Sequence, residues 1–191
     1  MRVQLPPSAP CLTNTQKAIC QINYSLQDYY NNNHKSIKEY IANMSTLIII
    51  PCGKRKIWGK DPKAGPTKAQ DVYTGGHFKV NRQYAEKFAP STWIILSAKY
   101  GFINPDFIIC KDYNVRFGDF KAISTERLRR QISRKHFKKY RRIIALGGVD
   151  YTNRIAEVFS GIKDIVTPVK GLRSGQKMKW LKMRIKQGRM L

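Results

Sequence analysis

Three four-residue apolar runs constrain this chain more than any other feature: Leu47-Ile48-Ile49-Ile50, Trp93-Ile94-Ile95-Leu96 and Ile143-Ile144-Ala145-Leu146. None alternates with polar residues, as expected of strands buried on both faces. Each stops abruptly, at Pro51, at Ser97-Ala98-Lys99-Tyr100-Gly101 and at Gly147-Gly148, and a shorter fourth run, Asp164-Ile165-Val166, stops at Thr167-Pro168. Helical spacing of apolar residues falls between them, over about 76–88, 124–140 and 150–159, and once more over 175–187. Strands alternating with helices predict an α/β fold: a three-layer α/β/α domain around a central, mainly parallel, four-stranded sheet. In such sheets ligands bind beyond the C-terminal ends of the strands, so the segments that follow each run are the ones to search.

The 191 residues suit one such domain over 46–191, preceded by an N-terminal helical extension over 1–45. In the extension, Pro6, Pro7 and Pro10 make an extended start, and Ile19, Ile22, Leu26 and Tyr30 recur at helical spacing before Asn31-Asn32-Asn33. The longest apolar run, Leu47 to Pro51, is too short to cross a bilayer, and the first ten residues lack the apolar stretch of a signal peptide. The expectation is a cytoplasmic protein without a membrane partner. Cys11, Cys20, Cys52 and Cys110 form no C-x-x-C pair, which argues against zinc, and disulfides are disfavoured in that compartment.

Charge narrows the partner. Lys and Arg number 36 against 12 Asp and Glu, a formal charge of +24, while 42% of residues are hydrophobic. The chain therefore has material for a core and a surface that a polyanion relieves of self-repulsion. Arg127 to Arg142 holds nine basic residues and no acid, and Ile165 to the end holds eight and no acid. Both stretches carry apolar residues at helical spacing, Leu128 with Ile132 and Met178 with Leu181 and Ile185, so each reads as a folded helix with one cationic face. Nucleic acid is the expected partner.

The loops behind the strands exclude several chemistries. Gly53 to Lys60 resembles a P-loop but has five residues between its glycines, and Asp61 stands where Ser or Thr must reach magnesium. His34, His77 and His136 are followed two residues later by Ser36, Lys79 and Lys138, so the zinc deaminase H-x-E is missing. There is no G-x-S-x-G elbow and no compact acidic cluster for a nuclease metal pair. No cofactor and no metal are expected. Acids near the edge are scarce: Asp61, Asp71, Asp106, Asp112 and Asp150. Asp150 reads as a helix N-cap and Asp106 as a turn residue of Asn104-Pro105-Asp106. Asp71 and Asp112 have no such excuse, and Asp71 is the favoured carboxylate for chemistry.

The strings Ile50-Pro51-Cys52-Gly53-Lys54-Arg55-Lys56, Ala69-Gln70-Asp71-Val72-Tyr73-Thr74-Gly75 and Ile95-Leu96-Ser97-Ala98-Lys99-Tyr100-Gly101, with Tyr113 downstream, resemble a bacterial domain family with C-G-K-x-K, A-x-D-x-Y-T and I-L-S-A-K-x-G motifs. That family is distantly similar to peroxide-stress DNA-binding proteins and to uracil-DNA-glycosylase-like folds, and some members resemble phage-defence glycosylases that remove glucosylated cytosines. The resemblance covers about 47–115 strongly and 143–185 weakly. It implies a pocket at the strand C-termini and a loop after the fourth strand that enters the minor groove. Thr167 to Gly175 holds that place, with Leu172 as the apolar wedge. The uracil enzymes' G-Q-D-P-Y is absent, so Asp71 substitutes for their acid by position only.

These readings combine into one expectation: a DNA glycosylase that flips and excises a modified base of double-stranded phage DNA, such as glucosylated hydroxymethylcytosine. Asp71 orients water and stabilises the cationic sugar, and Lys54, Lys99 and Tyr73 donate to the departing base. Cys52, Gly53, Thr74, Phe78, Ser97, Tyr100, Asp112 and Tyr113 form the base pocket. Lys56, Lys170, Leu172, Arg173, Ser174, Gln176, Lys177, Arg130 and Arg134 hold DNA. A Schiff base through Lys54 or Lys99 is the lower-ranked mechanism. The alternatives are an RNA or tRNA base-modifying enzyme related to deazaguanine chemistry, and a non-catalytic DNA-binding stress protein.

Overall fold

The protein is represented by a computed structural model that describes residues 45–161 and 164–191. The helices expected within residues 1–44 lie outside the described residues. Four strands form where the apolar runs predict them: β1 (Thr46–Pro51), β3 (Trp93–Ser97), β6 (Arg142–Ala145) and β7 (Asp164–Val166). The sheet order is β4-β3-β1-β6-β7, with β1 parallel to β3 and β6, and β6 parallel to β7. The sheet thus has five strands, one more than expected. The fifth, β4 (Gly101–Ile103), turns back antiparallel along β3. Its three residues carry too little pattern to read as a strand. Gly101 makes the turn with φ +75°, a left-handed conformation that glycine adopts without a Cβ penalty. A two-strand ribbon, β2 (Thr67–Lys68) with β5 (Ile108–Ile109), lies apart from the sheet.

Side chains on β1 alternate between two cores, which explains why the run needs no polar residue. Ile48 and Ile50 pack with Phe78, Tyr84 and Leu181, from helices α2 (Gly76–Phe88) and α5 (Ser174–Gln187). Leu47 and Ile49 pack with Leu128, Ile132, Ile155 and Val158, from α3 (Thr125–Arg134) and α4 (Val149–Val158). Helices therefore cover both faces of the sheet, and each buried aliphatic side chain contributes about 1.5–3 kcal/mol. A four-residue helix, α1 (Ala69–Val72), precedes α2. The stretch expected to be helical over 124–140 ends early: α3 closes at Arg134, His136 sits at φ 52°, and a 3₁₀ turn (Phe137–Lys139) follows. That break aims Phe137 into the core instead of along a helix face.

The connection leaving β1 runs to β3 on one side, and that leaving β6 runs to β7 on the other. The order therefore reverses between β1 and β6. This is the switch point at which open α/β sheets hold ligands, and it sets Pro51-Cys52-Gly53 beside Gly147-Gly148.

Gly101 yields a test. A Cβ there would stand 2.2 Å from Gln131 Oε1, which accepts the Phe102 N–H at 2.7 Å. Gly171 has φ +79° with open space around it. Urea titration should show Gly171→Ala losing about 1–2 kcal/mol from backbone strain alone. Gly101→Ala should lose more, and equal losses would remove the packing role given to Gln131.

Candidate functional site

Two hollows open at the carboxyl edge of the sheet, with no lining residue in common. The first is a cleft of about 350 Å³ between the loop Pro51–Arg55 and the start of α2, with Phe78, Asn81 and Met178 at its floor and side. The second is a groove of about 540 Å³ along α3, lined by Lys99, Tyr100, Arg127, Arg130, Gln131 and Arg134. Among the described residues no acid lines either one.

A wall of buried hydroxyls stands at the same edge and touches a lining residue of each hollow. The Tyr73 and Tyr113 hydroxyls lie 2.6 Å apart, and Tyr113 meets Ser97 Oγ at 2.9 Å. Ser97 Oγ also accepts the N–H groups of Lys99 at 3.2 Å and Tyr100 at 3.3 Å, which fixes the turn after β3. On the cleft side the Tyr73 ring packs on Phe78 at 4.9 Å, and on the groove side Lys99 Nζ sits 5.1 Å from the Tyr113 ring centre. At the switch point, Cys52 Sγ lies 3.1 Å from the Tyr151 hydroxyl, joining the β1 loop to α4. Gly53 lets the loop pass close: a Cβ there would meet Tyr73 Cβ at 3.1 Å. Burial, with the neighbouring Cys52 adding to it, pushes the Tyr73, Tyr113 and Tyr151 hydroxyls far above the ordinary tyrosine range.

The expected site residues divide among these features. Cys52, Gly53, Lys54 and Phe78 line the cleft. Tyr73, Ser97 and Tyr113 form the wall, and Lys99, Tyr100, Arg130 and Arg134 line the groove. Lys54 and Lys99 therefore face different hollows, not one rim. Thr74 is tied by its N–H to the Arg55 carbonyl at 3.0 Å and lines neither hollow.

Four expectations need correction. Asp71 lines neither hollow: its carboxylate is exposed and held by Arg82 at 2.9 Å, and Arg82 also binds Glu86. Lys56 is buried, its Nζ donating to the Tyr113 carbonyl and standing 3.3 Å from Asp112, so it ties two loops together instead of meeting DNA. Asp112 is consumed in that pair and in accepting the Tyr113 N–H at 2.7 Å. Leu172 packs against the core on the α2 side and does not project as a wedge. In addition, Asp150 lies inside the first turn of α4, whose N-cap is Gly148, so it favours the helix dipole without capping.

The segment after β7 stays at the same edge. Lys170 Nζ donates to Asn153 at 3.0 Å, Lys177 Nζ to the Gly147 carbonyl at 3.4 Å, and the Arg173 N–H to Gln176 Oε1 at 2.9 Å. Arg173, Ser174 and Gln176 are exposed at the start of α5. Three residues of the edge escaped sequence reasoning. Tyr151 was hidden as one more residue of a helix. Asn81 had a signal, a polar residue three after Phe78 and three before Tyr84 on an apolar stripe. Phe120 is 92% exposed on the loop whose Ile123 N–H bonds the Ala98 carbonyl at 2.8 Å, with Lys121 Nζ 5.2 Å from its ring centre. Among the described residues no group of His, Cys, Asp and Glu could hold a metal ion, and no helix is long and apolar enough to cross a membrane.

The model of a family of unknown function, DUF6884, matches residues 47–183. The chain belongs to that family. Its match spans β1 through most of α5, so the cleft, the wall and the groove all lie inside the DUF6884 domain. A relative, the uncharacterized protein YfjM of Bacillus subtilis (strain 168), is 38% identical over 128 residues, covering 66% of this chain and 85% of its own. No solved structure matches.

The network makes two predictions. Tyr113→Phe leaves Tyr73 and Ser97 without their shared partner and should cost about 1–3 kcal/mol in urea titration. The unfolded chain ionises its tyrosines near pH 10, whereas the folded chain holds these three neutral above that. Their contribution to stability is therefore full below about pH 10 and falls as the pH rises past it. Tyrosinate absorbance should rise in two stages, the second coinciding with loss of helical circular dichroism.

Proposed function

We propose that the chain excises a modified base from duplex DNA, using a uracil-DNA-glycosylase-like arrangement of the sheet. The observation that carries this reading is the cleft behind β1, lined by no acid among the described residues, together with a cationic groove along α3 at the same edge of the sheet. A duplex is long and evenly charged, and Arg127, Arg130 and Arg134 repeat along one helix at a spacing that suits successive phosphates. The cleft is of a size to take one everted nucleotide. Phe120 replaces Leu172 as the side chain available to enter the vacated stack.

In this reading water adds to C1′ of the deoxyribose, the bond from C1′ to the base nitrogen breaks, and one proton of the water ends on the base. Lys54, exposed on the lip of the cleft, is the proposed cation whose charge favours the anion that develops on the departing base. Asp71, held by Arg82, has no part in the step. Catalysis would therefore rest on the leaving group more than on a carboxylate beside the sugar. Phage DNA bearing glucosylated or hydroxymethylated cytosine is the proposed substrate, and defence against phage the proposed setting.

Pure protein incubated with glucosylated, hydroxymethylated and plain duplexes should produce alkali-sensitive abasic sites in one modified duplex. Lys54→Ala should slow release by about 100-fold, the scale of a lost proton donor or charge contact. Borohydride trapping of a protein–DNA adduct would move the mechanism to a lysine Schiff base. No base release from any duplex, with release from tRNA instead, would replace this reading by the RNA one.

A further inference from the structure

The cleft holds a largely buried polar residue whose amide no protein group engages. Asn81 is only 6% exposed and lines the cleft, yet among the described residues its side-chain amide has no hydrogen-bond partner. Its polar atoms are not sealed in the interior, since among the described residues Arg184 Nε alone is buried without a partner, so the amide opens onto the cleft, where a ligand can replace the water on it. Beside it, α2 begins uncapped. The N-cap Gly75 offers no side chain, intrahelical bonding begins with the Lys79 N–H on the Gly75 carbonyl, and the N–H groups of Gly76, His77 and Phe78 have no acceptor among the described residues. A 13-residue helix directs its positive end at that point, and the exposed Lys54 and Arg55 of the facing loop add two cations.

We propose that this cleft is a phosphate-ester site. The first-turn N–H groups of α2, with Lys54 and Arg55, take the phosphate, and the Asn81 amide takes a polar group of the moiety esterified to it. A tetrahedral phosphate has enough oxygens to engage several N–H groups and both cations together, and an amide supplies one acceptor and a donor pair for the attached group. The proposal goes beyond base excision and does not need it: phosphate binding is measurable where no bond is cut.

The test is calorimetric titration of the full chain at constant ionic strength with inorganic phosphate, deoxycytidine 5′-monophosphate and deoxycytidine. Phosphate and the monophosphate should bind saturably at one site per chain, and deoxycytidine at least about tenfold more weakly than its monophosphate. Gly76→Pro removes one cradle N–H while keeping the helix, because proline suits the first helical position and Gly75 already has the extended φ −70°, ψ 143° that proline requires before it. It should weaken phosphate binding about tenfold. Asn81→Leu should weaken the monophosphate and leave inorganic phosphate unchanged, and Asn81→Ser gives the same comparison if the leucine variant does not fold. Lys138→Ala, an exposed cation on the 3₁₀ turn away from the cleft, should change neither.

Displacement of the monophosphate by a short 5′-phosphorylated oligonucleotide would assign the site to nucleic acid, and failure to displace it would assign it to free nucleotide. Both results support a phosphate-ester site. Absence of saturable phosphate binding would overturn it, as would a loss in Lys138→Ala equal to that in Gly76→Pro, since that means diffuse attraction only. Phosphate binding without base release would leave this site standing and sink the glycosylase reading, and base release without phosphate binding would do the reverse.

Discussion

Burial of β1 on both faces is the constraint from which the rest of the domain follows. A strand with helices above and below must hydrogen-bond to parallel neighbours on both sides, and each neighbour must be reached by a crossover. Those crossovers bring the ends of β1, β3 and β6 to one edge and leave their loops no other place to go. The same constraint explains why Ser97, at the end of a strand with no exposed residue, finds its partners inside the protein, in the N–H groups of the turn that follows it and in the Tyr113 hydroxyl. The hydroxyl wall is the polar residue of an otherwise apolar interior. It is tolerated because each oxygen in it has a partner.

Electrostatics divides the surface by subtraction. Asp71, Asp106, Asp112, Asp164, Glu86 and Glu157 are all engaged in ion pairs, with Arg82, Lys68, Lys56, Arg142, Arg82 and Arg154. Most of these pairs are solvent-exposed and individually worth little. Their larger effect is to remove negative charge from the places where it would oppose an anion. The arginines of α3 and the cations of the β1 loop keep their full field.

Much of the fold was legible because its signals are local. Three strands announced themselves as unbroken apolar runs and a fourth as the shorter Asp164-Ile165-Val166, and α2 and α5 fall within a residue of the stretches their spacing marks. What was not legible depends on contacts between segments far apart in the chain. β4 exists because β3 offers an edge, not because Gly101-Phe102-Ile103 has a pattern of its own. Asp71 looked free because Arg82 lies eleven residues on, across the bend between α1 and α2. Lys56 looked like the third cation of a run, but it bridges to Tyr73 as an extended residue, which turns it inward while Lys54 and Arg55 face out. Asn81 could have been read: a lone amide on an apolar stripe is a local signal.

The inward lysine has a consequence for how anything enters the cleft. By fastening the β1 loop to the chain around Asp112 and Tyr113, Lys56 stiffens the lip on which Lys54 and Arg55 stand. The entropy of ordering that lip is spent when the chain folds, so a ligand that arrives later has less of it to lose. Recognition at this edge is then closer to insertion into a finished mould than to the closing of a hand.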